Sequence, residues 1–442
     1  MRFFHAAASV LTLALAAQSV AAEDAATRKA IEAEYDNYLA PLFLDFHQNP
    51  EMGFLENRTA AKMAAELRAA GLEVTTGVGK TGVVGILKNG DGPLILLRAD
   101  MDGLPVEEKT GLAYASKAKQ IDEDGKEYPT MHACGHDTHI TSMVGTARRL
   151  AAMKDKWSGT LMFVVQPAEE GVRGAKAMME DGLYQRFGKP DYALAFHVAA
   201  ELETGKVSAS EGIQYSSSDS LDIRVPGIGT HGAAPHLGRD PVYIASQIVT
   251  ALQSIDSREI GPLTPVVVTV GSFHAGSKHN IISDEAMLQV TVRANDEETR
   301  EQVIATISRI AVNIGKAHGL PDNLPVEVKR LSGTPTTNND PALARRLNAV
   351  MQRELGADAV VPFQQKNMGA EDFTYFVAAD TGVPGYYFAV GGATPERIAA
   401  AKAGGPPIAG HHSPLFQIAP RESIVLGTRA MVAAVLDLAP AK

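Results

Sequence analysis

A chain of 442 residues, 45% hydrophobic and 21% charged, can bury a large core and has room for two or three domains. Its formal charge is −10, and its Lys and Arg residues are scattered, with no basic patch or charge run. That balance excludes the usual signature of a nucleic-acid partner.

The chain starts "MRFFHAAASVLTLALAAQSVAA", with one positive charge at Arg2, an apolar run from Ala6 to Ala17, and small residues before Glu23. This is the pattern of a secretory signal peptide, residues 1–22, cut after Ala22. The run is too short to span a bilayer as a helix. No later segment is apolar for long enough, so the expectation is an exported protein, periplasmic or secreted, without a membrane span.

A helix is predicted over about Asp24 to Phe46 and a second over about Asn57 to Ala70, stopped by Gly71. "GVVGILK" and "PLILLRAD" read as strands, the second apolar throughout, as in a strand buried on both faces. It ends in "RADMDGLP". A polar, hairpin-like excursion from Ser116 to Thr130 leads to "MHACGHDTHI". A helix runs from His136 to about Met153. The strand "GTLMFVVQP" ends in "AEEG", and after a helix around Val172 to Gly182 comes the strand "YALAFHV". Alternating strands and helices are the pattern of a parallel, doubly wound α/β sheet, whose ligands bind at the carboxyl ends of the strands.

From about Ser216 to Leu331 the order changes to strand, helix, strand, strand, helix, strand, in "SSDSLDIRVPG", "DPVYIASQIVTALQSI", "PVVVTVGSF", "EAMLQVTVRAN", "TREQVIATISRIAVNIGKAHG" and "LPVEVKRL". This is the ferredoxin-like βαββαβ pattern. The expected organisation is a catalytic domain in two parts, 23–212 and 333–442, with an inserted domain at 213–332. In the last part a helix follows Pro341, then "AVVPFQ", a helix after Gly369, the strand "GYYFAVGG" and a final helix from Glu422.

Cys134 is the only cysteine in the chain. One thiol cannot pair internally, which leaves an inert buried thiol, a nucleophile or a metal ligand. The polar flanks His132, Gly135, His136 and Asp137 are unlike those of a core strand. Cys134 and His136 are two residues apart and face the same way in an extended stretch. Glu169 and Glu170 are adjacent, so their side chains diverge. One can bind metal while the other acts as general base. With His197 and, beside His411, His412, the chain offers more ligands than one tetrahedral zinc requires, which suits two metals.

These motifs resemble the metallopeptidase family of aminoacylases and carboxypeptidase G-type enzymes. Within it they are most similar to the branch of hippurate hydrolases, indole-acetyl-amino-acid hydrolases and N-acetyl-diaminopimelate deacetylases. The matching stretches are "FHQNPEMGFLENRTA", "LLRADMDGLPVEEKTGLAYAS", "MHACGHDTHITSMVGTARRLA", "QPAEEGVRGAKAMMEDGL", "GTHGAAPHLGRDPV", "MGAEDFTYF" and "HHSPLF". The resemblance implies two divalent metal ions held by Cys134, His136, Glu170, His197 and His412, with a bridging Cys134 thiolate and Glu169 as general base. Asp100 matches the acidic residue that supports the site, and Arg98 stands where related branches place a histidine ligand. It also implies that the inserted domain is a lid through which copies associate. His231 then matches the lid histidine that polarises the scissile carbonyl, and Asn280 and Arg293 match substrate-holding positions. Ser283 and Ala294 depart from the branch's usual proline and threonine, so capping by Asn280 and stacking by Arg293 stay open as alternatives. The segments 116–130 and 392–410 are longer than the branch leads one to expect.

The reaction so implied is hydrolysis of the amide bond of a small N-acyl amino acid. A carboxypeptidase or dipeptidase would use the same chemistry, and a non-catalytic binding protein would keep only the fold. Thiolate and imidazole favour zinc, while mixed oxygen and nitrogen ligands admit manganese, cobalt or nickel.

Overall fold

The computed structural model describes residues 25–441, so the proposed signal segment 1–22 lies outside the described residues. The chain forms two compact units. The first takes residues up to Gly212, Asn339–Phe363 and Thr381 onward, and the second takes Ile213–Asn338 and Gln364–Asp380. The stretch 364–380, which the motif order places with the catalytic segment, thus belongs to the second unit.

The first unit is built on an eight-stranded sheet in the order Glu73–Val78, Gly82–Asn89, Gly159–Gln166, Leu94–Asp100, Tyr192–Glu203, Gly385–Ala393, Val207–Ser208, Val360–Val361. Its four central strands run parallel, while Glu73–Val78 and Gly82–Asn89 form an antiparallel border. Leu94–Asp100 is one of the two strands at the centre of this order, and Ile95, Leu96 and Leu97 are all buried, which is why the segment reads as an apolar run. The helices Asn57–Ala69, His136–Ala152, Pro341–Leu355 and Pro420–Leu438 contribute Met63, Val144, Leu347 and Ile424 to one continuous core with the sheet.

Local differences from the expected elements have physical causes. The first predicted helix is interrupted by a π-helical turn at Tyr35–Leu39, just before Pro41 near the start of the helix Ala40–His47. Pro41 has no N–H to donate back into the preceding turn, so the regular ladder is broken there. "AVVPFQ" yields only the two-residue strand Val360–Val361, because Pro362 has no N–H for the ladder. The 116–130 excursion is a hairpin, with Gln120 paired to Tyr128. The Gln120 side chain ties it down, accepting from Met52 N at 2.6 Å and donating to Leu55 O at 3.1 Å.

The second unit carries an antiparallel sheet in the order Val266–Ala275, Glu285–Ala294, Ser218–Pro226, Glu327–Thr334. The helices Pro241–Leu252 and Glu297–Ala317 pack against it over Leu221, Ile223, Ile248, Leu288 and Ile307. Asp240 and Asp296 cap these helices through backbone N–H groups of Val242 and Thr299 at 2.9 and 2.7 Å. Among the described residues no helix is long and apolar enough to cross a membrane.

Candidate functional site

The carboxyl ends of the parallel strands and the loops beside them gather the polar motifs of the first unit. Leu94–Asp100 delivers Asp100 and then Asp102, Gly159–Gln166 delivers Glu169 and Glu170, and Tyr192–Glu203 carries His197. Cys134 lies two residues before the start of the helix that begins at His136. Gly135 makes that junction with φ of +87°, and a Cβ there would lie 2.4 Å from Val198 Cγ1. Both the left-handed conformation and the close approach require glycine. The loop bearing His411 and His412 is seated by a hydrogen bond from His412 N to Ala133 O at 2.9 Å.

The structure brings Cys134, His136, Glu170, His197 and His412 together. Ligand atoms of Cys134, His136 and His197 lie within 4.8 Å of one another, and so do those of Cys134, Glu170 and His412, so the thiol is the member shared by both groups. Cys134 Sγ is 3.3 Å from His197 Nε2, and Glu170 Oε2 is 3.2 Å from His412 Nε2. His136 Nε2 stands 3.9 Å from Glu169 Oε2 and 4.0 Å from Glu170 Oε1.

The histidines are presented in one sense. His136 donates Nδ1–H to Asp102 O at 2.8 Å, and His197 donates Nδ1–H to Val198 O at 2.8 Å. Each tautomer then turns a basic Nε2 towards the cluster. Asp102 also lies 3.2 Å from His136 Nδ1 through Oδ1, and its Oδ2 accepts from Glu170 N at 3.0 Å. Below them, Asp100 Oδ1 accepts from His139 Nδ1 at 2.5 Å and Oδ2 pairs with Arg98 Nη1 at 2.7 Å. His139 Nε2 accepts from Val198 N at 2.8 Å, so this imidazole is neutral and bridges the two strands. Burial would raise the pKa of Asp100, but Arg98, His136 and His139 hold its carboxyl well below the usual carboxylate range.

Two buried polar atoms in the cluster have no hydrogen-bond partner, His136 Nε2 and Glu170 Oε1. A native protein pairs nearly all such atoms or gives them to an ion. Burial favours a neutral His136, yet Asp100, Asp102 and Glu170 push its pKa up to about 10. Without a metal, the surrounding carboxylates demand a cation at this point. Thiolate, imidazole and carboxylate form a donor set suited to divalent transition metals. The residues fit a metal centre.

The sequence reading passed over Asp102, which orients both His136 and Glu170, and His139, which fixes Asp100. For Asp102 there was a signal, because it lies two residues beyond Asp100 in the same extended "RADMD". His411 also sits beside the cluster, with Nδ1 3.8 Å from Cys134 Sγ.

The remaining predicted residues belong to the second unit. His231 and Asn280 are exposed neighbours on a short ribbon in which Thr230–His231 pairs with Ile281–Ile282. His231 Nδ1 accepts from Ala233 N at 2.9 Å, and Asn280 O accepts from Gly232 N at 2.8 Å. Arg293 is half-buried on a different pairing, opposite Val267 in the main sheet.

Residues 96–403 match the model of peptidase family M20/M25/M40. The chain is 41% identical over 333 residues to a hippurate hydrolase of Campylobacter jejuni, covering 75% of this chain and 82% of that protein. It is 36% identical over 363 residues to thermostable carboxypeptidase 2 of Saccharolobus solfataricus, covering 81% and 86%. Among solved structures, the YXEP protein of Bacillus subtilis, a dinuclear metal-binding peptidase of the M20 family, superposes with a TM-score of 0.73 at 28% identity, over 92% of this chain and 98% of that one. The candidate donor clusters and this neighbour support two divalent metals, and the chain belongs to peptidase family M20/M25/M40 as a metal-dependent amidohydrolase.

Proposed function

We propose that this protein is an exported hydrolase of small N-acyl amino acids. The observation that carries the reaction is the pairing of a buried Glu169 with a donor cluster beside it. Cys134, common to both donor groups, would hold the metals together with His136, His197, Glu170 and His412. When bound, the metals supply Lewis acidity, lowering the pKa of water and stabilising negative charge. Zinc fits the thiolate and imidazoles, and manganese, cobalt and nickel are the alternatives.

The chain's own residues do the rest. Glu169, 7% exposed and 3.9 Å from His136 Nε2, accepts the proton of the attacking water and returns it to the leaving amine. Asp102 holds His136 in the tautomer that leaves Nε2 basic, and Asp100 with Arg98 and His139 braces the floor of the site. His231 donates to the scissile carbonyl oxygen, and Asn280 and Arg293 hold the substrate's carbonyl or carboxylate. The second unit is assigned as the lid and as the surface through which copies associate, where Val266–Ala275 is an end strand of its sheet. Export rests on the pattern of residues 1–22 and places the enzyme in the periplasm or outside the cell.

The hippurate hydrolase and the carboxypeptidase among the relatives favour two substrate classes. Purified protein assayed on N-benzoyl and N-acetyl amino acids against dipeptides separates them, with metal content measured on the same sample. Turnover of acyl amino acids at least about tenfold above dipeptides in kcat/KM supports the proposal. The reverse ratio assigns a peptidase, and bound metal without hydrolysis of any amide overturns catalysis. Sequencing the amino terminus of the protein recovered from its native host tests cleavage after Ala22.

A further inference from the structure

Glu56 is a fully buried carboxyl that the reaction above does not use. Its Oε1 accepts from Ala168 N at 2.8 Å, and its Oε2 accepts from Thr81 Oγ1 at 2.5 Å. Ala168 immediately precedes Glu169 and Glu170, and it has φ of +48°. A residue with a Cβ adopts that conformation only when its surroundings impose it.

The surroundings are unusual in the same way. Four of the five non-glycine residues with positive φ among those described lie on the three segments that Glu56 joins: Phe54 at +64°, Lys80 at +79°, Ala168 at +48° and Val172 at +53°. The segments are stacked tightly. A Cβ on Gly53 would lie 3.0 Å from both Ala168 Cα and Cβ, and Lys80 Nζ stands 4.0 Å over the Phe54 ring, with Arg173 on the same ring at 5.2 Å. From the other side, Asp102 accepts from Glu170 N at 3.0 Å.

We infer that Glu56 is a positioning residue for the catalytic turn: it holds the Ala168 N–H, and so fixes the backbone conformation that points Glu169 and Glu170 in different directions. Glu56 and Asp102 grip the two ends of the tripeptide Ala168–Glu169–Glu170, each through one backbone N–H. The turn's own backbone bonds, from Val172 N to Glu169 O at 2.6 Å and from Arg173 N and Gly174 N to Ala168 O at 3.3 and 3.2 Å, use its carbonyls, while Glu56 and Asp102 take up its N–H groups. The inference rests on the assignment of Glu169 as base and Glu170 as metal ligand.

What matters in this role is reach and an acceptor oxygen, not charge. Glu56→Gln keeps both, since its amide oxygen can accept from Ala168 and its amide N–H can donate to Thr81. Glu56→Asp keeps the charge but is one methylene short of spanning both partners. The test compares wild type, Glu56→Gln, Glu56→Asp and Glu169→Gln, measuring kcat and KM on the best N-acyl amino acid, metal retained against graded chelator, and melting temperature.

Glu56→Gln is expected to stay within about threefold of wild type in kcat and in metal retention. Glu56→Asp is expected to lose about tenfold to a hundredfold in kcat, with KM moved less than about threefold, and to release metal at lower chelator concentration. Wild-type turnover and retention in Glu56→Asp overturns the inference, and so does a Glu56→Gln as impaired as Glu56→Asp. Should Glu169→Gln retain full turnover, the base assignment falls instead, and metal retention in Glu56→Asp still tests Glu56 through Glu170.

Discussion

Two buried clusters of charge, taken one from each unit, are finished differently. In the second unit, Asp219 is fully buried against Arg300, which meets it with two hydrogen bonds at 2.8 and 2.9 Å, and Arg330 adds a third at 2.7 Å. The guanidinium groups are completed in turn by Glu297 and Glu301. In the first unit, His136 Nε2 and Glu170 Oε1 are equally buried and have no hydrogen-bond partner. Burial of charge alone therefore says little about function. A saturated network spends its hydrogen bonds on itself and serves the fold, whereas an unsaturated one keeps lone pairs for something else.

Glu169→Gln is the most damaging of the changes in the first unit. Its amide cannot accept a proton, so turnover is expected to fall by about two to four powers of ten, while metal content and melting temperature stay near wild type. A turnover near that of wild type contradicts the assignment. The matching change in the saturated cluster is Asp219→Ala, which strands Arg300 in the interior. We expect a loss of about 3–5 kcal/mol in stability of the second unit by denaturant titration. Metal retention should not change, because the donor groups belong to the other unit.

Next in size is Asp102→Ala, which removes the carboxylate behind His136 and Glu170. Metal affinity measured by chelator competition should drop about tenfold to a hundredfold. Cys134→Ser should also weaken retention, since a hydroxyl replaces a thiolate shared by both donor groups. Metal content unchanged after dialysis in both variants would remove the two-metal reading.

The smallest effect is expected from a saturated network within the first unit itself. His47 is buried between Asp137, at 2.7 Å, and Glu108, at 3.3 Å, a network that is saturated although Asp137 adjoins His136 of the donor cluster. Burial by itself would lower the pKa of His47, but hydrogen bonds to Asp137 and Glu108 raise it to about 9. The folded value lies above the ordinary value of 6.5. The resulting stability is therefore fully present below about pH 6.5 and is lost as pH rises through about 9. Thermal melts of wild type should decline across that window, and those of His47→Gln should decline less. Equal slopes would show that His47 gains nothing from its carboxylates.

Much of this could be read along the chain because it is written in local chemistry. The apolar run of Leu94–Asp100 and the βαββαβ order of the second unit both come from neighbours in sequence. So did the candidate donors, since Cys134, His136, Glu169, Glu170 and His197 follow or end predicted strands. Pro41 and Pro362 disturbed two expected elements, because a missing N–H acts on the ladder partner rather than on the proline's own position.

What only the tertiary structure decided is which atoms meet. Cys134 and His412 are separated by more than half the length of the chain, and the membership of Cys134 in both donor groups appears only when the loop of His412 is seated on Ala133. The roles of His139 and Glu56 likewise depend on contacts between distant segments, which leave no periodicity in the sequence, whereas Asp102 shows only as the second acid of "RADMD". Local sequence sets backbone preference and side-chain chemistry. Packing of distant segments sets the distances, and the distances determine which buried groups satisfy each other and which are left for a metal.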